Sequence, residues 1–92
     1  MIGSEHVAAL PLVQLRAEEA ACVVELVGAP DEVRRLAEMG LSVGATIRMI
    51  RPGAPCLLAV GDTGAKRLSL RLSGEVDILV APRPTPIPQS GL

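Results

Sequence analysis

One stretch of this chain is punctuated at both ends, and it limits what the rest can build. Residues 30–44 read Pro-Asp-Glu-Val-Arg-Arg-Leu-Ala-Glu-Met-Gly-Leu-Ser-Val-Gly. Proline is accommodated in the first turn of a helix, where its missing N–H has no intrahelical partner to lose. Asp31 and Glu32 then fall at the positive end of the helix dipole. Val33, Leu36 and Ala37 recur at helical spacing and predict one apolar stripe, with Arg34, Arg35 and Glu38 facing away. Gly40 stands where a helix ends through a left-handed residue, and Leu41 is then expected to touch Leu36 in a Schellman ending. Gly44 turns the chain into a strand. Every other periodic segment is short and strand-like, so this helix has a small β structure to cap or plug.

Those segments follow in order. Residues 10–15 read as a single helical turn that plants Leu12 and Leu15 on the core. The first strand is expected over 20–27, rich in β-branched residues. In a regular ladder Ala21 and Val23 share one face and Leu26 takes the other, so a bulge near Val24 is expected if Leu26 joins the core. The second strand, 45–51, alternates Ile47 and Met49 with Thr46 and Arg48. A turn at 52–55 leads to a third strand at 56–60, and a hairpin loop at 61–64 to a fourth at 65–70, with Leu68 and Leu70 inward. Residues 71–74 read as a tight helical turn, and Val76, Ile78 and Val80 share one face of a last strand over 75–80. The expectation is a mainly β domain: a small closed or half-closed barrel of about five strands, with one α-helix after the first strand and short helical turns. Closure would hide the edges that short strands expose. Residues 1–9 carry no period and read as a loose N-terminus. The domain spans 10–81. Residues 82–92 alternate Pro82, Pro84, Pro86 and Pro88, a pattern that favours polyproline geometry and a flexible tail.

Composition settles some function classes. At 92 residues one domain is the default. Hydrophobic residues make up 49% and aromatic residues 0%, so the core must be built from Val, Leu, Ile, Ala and Met. No Phe, Tyr or Trp exists on which a nucleic-acid base could stack. The formal net charge of -1 carries no electrostatic footprint for nucleic acid or acidic lipid. Cys22 and Cys56 lie far apart, form no metal-type pair, and read as reduced thiols of a cytoplasmic protein. No basic start precedes the first apolar residues and no apolar run is long enough for a bilayer, so direct membrane insertion is not expected.

The ordered set Leu12-x-x-Leu15, Ala21-x-Val23-Val24-x-Leu26-x-Gly28, Leu36-x-x-Met39-Gly40-Leu41-x-x-Gly44, Leu68-Ser69-Leu70-Arg71 and Ile78-Leu79-Val80 resembles the FeoA family, small cytosolic accessory proteins of bacterial ferrous-iron uptake. The resemblance covers about 10–81. It implies an SH3-like β-barrel and a non-enzymatic partner of the large membrane ferrous-iron permease (FeoB-like), whose cytoplasmic side carries a GTPase domain. Modulating that GTPase or assembling the transporter is the role it implies. Three departures stand out. Ala17-Glu18 replaces a common Pro-Gly, the loop at 52–55 is compact, and Glu75 stands where a small residue is common.

Candidate site residues follow from the helix. Met39 and Leu41 are read either as core packing beside the helix stop or as apolar anchors for the partner. Arg34 and Arg35 are read as a solvated face or as the complement of an acidic patch on that partner. Asp31 is spaced to pair with Arg35, for only ~0.3 kcal/mol. Gly40 and Gly44 are structural turns. His6, Cys22 and Cys56 are the strong soft-metal candidates, but a structural site wants about four ligands, often closely paired. No resident cofactor is expected. A carrier or sensor of Fe2+ or another transition metal is the alternative reading. A second is a stand-alone relative of the FeoA-like domain of iron-dependent repressors, which carry an upstream DNA-reading domain for which this chain has no room. No catalytic constellation emerges: Glu18-Glu19 and Asp31-Glu32 are merely adjacent, and Gly61-Asp62-Thr63-Gly64 lacks the ending of a phosphate loop. Oligomeric state is left open, with an exposed strand edge or the Leu41 region as the candidate self-association surfaces.

Overall fold

The computed structural model describes residues 9–72 and 76–83. The expected loose segment 1–8, the candidate ligand His6 and the tail beyond Arg83 lie outside them. The chain runs β1 (Leu10–Pro11), a 3-10 turn (Leu12–Gln14), β2 (Ala20–Gly28), α1 (Pro30–Glu38), β3 (Thr46–Arg51), β4 (Cys56–Val60), β5 (Lys66–Leu70) and β6 (Val76–Arg83). All described pairings are antiparallel, in the order β1-β6-β2-β3-β4-β5.

Alternation decides which side chains go inside. Ile47 and Met49 of β3, Leu58 and Val60 of β4, and Val76, Ile78 and Val80 of β6 all point into one cluster, as strict period-2 patterns require. β2 obeys the rule only through a bulge. Val23 pairs with Val80 and Glu25 with Leu79, leaving Val24 as the extra residue. A regular ladder would have put Glu25 opposite Ile78 on the core face. The bulge puts Leu26 there instead, where it packs against the core, and Glu25 stays in solvent. Leu12 and Leu15, from the 3-10 turn and the residue after it, are 1% and 2% exposed and close the cluster.

The structure corrects several expectations. There are six strands among the described residues rather than five, because Leu10–Pro11 forms a short strand on β6 before the 3-10 turn begins. The helix accordingly follows the second strand. The ladder is not closed into a barrel: β1 and β5 stand at opposite ends of the strand order. β1 has two residues, one of them Pro11 with no N–H to give, so it has little to zip against β5. An SH3-like fold remains consistent with this sheet. β6 runs on to Arg83, past the expected end at Val80, with Pro82 paired to Ala21. Proline is tolerated there because β1 pairs only at Leu79 and Val80, so no described strand needs a donor from Pro82 on that side. Arg71 and Leu72 form no helical turn, and the remainder of that expected turn falls on residues 73–75, outside the described set.

Candidate docking surface

α1 carries its start and stop in local chemistry. Pro30 is its first residue and Asp31 and Glu32 lie in its first turn. Its end is a full Schellman motif: the Leu41 N–H donates to the Leu36 carbonyl at 2.9 Å and the Gly40 N–H to the Ala37 carbonyl at 3.0 Å. Gly40 has φ +103 and Gly44 φ +97, so both turns use the left-handed region that glycine enters freely. Leu36 and Leu41 belong to the same core cluster.

This settles where the candidate residues stand. Leu41 is 0% exposed, so of its two readings core packing beside the helix stop holds and the surface anchor is corrected: its side chain is consumed by the helix stop and the core. Met39 is half-buried against the cluster, with part of its side chain accessible. Arg34 and Arg35 are exposed. Ala37 is exposed as well, contrary to the expected stripe, and only Leu36 of α1 is buried. Around the helix axis Val33 stands about 60° and Ala37 about 100° from Leu36, both to the same side, so Val33 is half-buried and Ala37 turns outward.

Beside this helix lies a cleft of about 230 Å3. Glu32, Arg35, Leu36 and Met39 of α1 form one wall and Ser69 and Leu70 of β5 the other. Leu72 and Val76 close one end, with Arg71 at the rim. The floor is apolar, since Leu36, Leu70 and Val76 are each buried, while exposed Arg35 shares the α1 wall with half-buried Glu32 and exposed Arg71 stands at the rim. Sequence reasoning found the helix side of this cleft and missed the β5 side. Arg71 and Leu72 adjoin a loop with no period of its own, and no local signal says which strand ends the sheet.

Little else gathers chemistry. Among the described residues no polar or charged residue is buried, and no three His, Cys, Asp or Glu side chains come together as a metal set. Cys22 and Cys56 are free thiols. Cys22 is half-buried; Cys56 is buried at the start of β4, and desolvation there pushes its thiol pKa above the ordinary value. That keeps it protonated and a poor nucleophile or ligand at neutral pH. A smaller cleft of about 110 Å3 at the 61–64 loop is lined by Arg48 and Asp62. There the Arg48 guanidinium is already engaged, donating to the Glu18 carbonyl at 2.9 Å. No described helix is long and apolar enough to cross a membrane.

Set against known proteins, residues 10–80 match the family model of the FeoA domain. A solved crystal structure described as an iron uptake regulatory protein (FeoA) superposes with a TM-score of 0.69 at 26% identity, covering 83% of this chain and 99% of that one. No curated protein sequence matches significantly.

Proposed function

The chain belongs to the FeoA family, and from that premise we propose that it is a non-enzymatic accessory protein of ferrous-iron uptake which docks, helix side first, on the GTPase-bearing cytoplasmic part of the membrane iron permease. A role in ferrous-iron transport or its regulation follows from membership; the docking surface is a reading of the geometry. The observation that supports it is the cleft beside α1, where an apolar floor lies between exposed Arg35 and Arg71 and partly accessible Met39. Interfaces concentrate energy in such central apolar anchors, while rim charges set specificity and encounter rate. Iron is then the cargo of the partner, and this chain acts on the protein that moves it.

The test is titration of the isolated cytoplasmic part of the permease with this chain, with and without guanine nucleotide. Binding is expected, weakened at least about tenfold by Met39→Asp and by Arg35→Glu. Absence of binding at high micromolar concentration in every nucleotide state would overturn the reading.

A further inference from the structure

β5 ends the sheet. It pairs with β4 from Lys66↔Val60 to Leu70↔Cys56, and no described strand pairs with its other side. Such an edge presents a row of N–H and C=O groups ready for another strand. α1 lies alongside this free side. The Nζ of Lys66 is 3.6 Å from the point that a Cβ on Gly40 would occupy, just past the helix end, and farther back along the helix Leu36 and Arg35 share the cleft with Ser69 and Leu70. The β5 edge therefore borders a slot, walled by a helix, with an apolar floor.

Two features of the slot select its occupant. The first is the free edge itself: the unpaired N–H and C=O groups along β5 are met in register by an extended segment and not by a helix, whose own groups are already paired. The second is charge. Of the charged residues that line the slot, Arg35 and Arg71 are cations and Glu32 the anion, and Lys66 beside the helix end adds a further positive charge on a chain whose formal net charge is -1. We propose that the slot takes an extended, acidic segment of the partner protein as an added strand on β5. Main-chain hydrogen bonds run along the β5 edge. Alternate apolar side chains of the segment cover Leu36, Leu70 and Val76, and its carboxylates meet Arg35 and Arg71. This deepens the docking reading above and rests on it for the identity of the partner, though not for the chemistry of the site.

The experiment uses the full chain and a fluorescein-labelled heptapeptide of alternating Asp and Val. Three comparisons accompany it: a Lys-Val peptide, an Asp-Val peptide N-methylated at alternate residues, and the doubly reversed variant Arg35→Glu/Arg71→Glu. Both altered positions are exposed, and circular dichroism confirms that the variant keeps its strand content. Anisotropy is expected to show binding of the Asp-Val peptide, weakened at least about tenfold in each comparison, with slowed amide exchange confined to β5 and the end of α1. Equal binding of the N-methylated or lysine peptide overturns the proposal, as does protection at β1 or no binding at millimolar peptide. If the permease's cytoplasmic part binds wild type and the charge-reversed variant alike, the slot and the helix-side docking surface both fall and the identity of the partner stands. If the peptide results hold and the permease does not bind, the docking reading falls and the acidic-strand site stands.

Discussion

Glu18 sits at φ +73, in the left-handed region that side chains other than glycine enter at a cost. It occupies the turn before β2, where the FeoA resemblance leads one to expect glycine. The turn keeps its shape because it is held from both sides: the Glu18 N–H donates to the Met49 carbonyl at 2.6 Å and the Arg48 guanidinium donates to the Glu18 carbonyl at 2.9 Å. Replacing Glu18 by glycine relieves the strain and adds freedom to the unfolded chain, two opposed effects. The net expectation is a gain of about 0.5–1 kcal/mol in urea unfolding. Gly40→Ala goes the other way. It places a side chain at φ +103 and 3.4 Å from Val60 Cγ1, and a loss of about 1–3 kcal/mol is expected in the same measurement. Cys56 adds a pH dependence. Its folded pKa is raised above 9.0 by desolvation, so the contribution of the buried neutral thiol is fully present below the unfolded value and is lost as pH rises through the folded one. Unfolding midpoints measured from pH 7 upward should fall in the alkaline range more steeply for wild type than for Cys56→Ala, and an alkylating reagent should reach half-buried Cys22 first.

At the scale of elements, what could be read from the residues was what local chemistry controls. The helix start and its Schellman stop are written within residues 30–41, and the structure contains both. The bulge at Val24 was legible for a different reason: Leu26 reaches the core face beside Ala21 and Val23 only through one, and the same shift spares Glu25 a burial without a partner that costs several kcal/mol. β3 was legible from alternation, and β4 as a short apolar run between the turn at 52–55 and the loop at 61–64. What misled was any feature whose meaning depends on a distant neighbour. Leu10 and Pro11 form a strand only because β6 lies beside them, and Pro82 belongs to a strand only because β1 ends first. α1 itself has one unused device. Ala29 holds the N-cap position with φ −63 and ψ 143 but makes no side-chain cap hydrogen bond. Ala29→Ser is expected to stabilise the protein by about 0.5–1 kcal/mol in thermal or urea unfolding, by giving a free helix N–H an acceptor.

Over the whole molecule, the sheet is strongest at its middle and open at its ends. β2 and β6 pair over eight register positions between Gly28↔Val76 and Ala20↔Arg83, whereas β1 contributes two. Hydrogen exchange should follow: amides of the β2–β6 ladder last, those of β5 among the first strand amides to exchange. Failure to close the ladder was not legible, since closure depends on whether the first and last strands in space can zip, and sequence order does not give spatial order. The same limit hid half of the candidate site, because β5 acquires its role from being last in the sheet. The core has a further consequence. Its walls are aliphatic and sulfur-bearing side chains, with no Phe, Tyr or Trp anywhere in the chain. The folded protein is therefore dark near 280 nm. A single tryptophan set at Val13, 60% exposed and lining a separate cleft that shares Leu72 and Val76 with the one beside α1, would be the sole fluorophore of its kind in any mixture with an unlabelled, tryptophan-free ligand, and its emission would report that neighbouring surface.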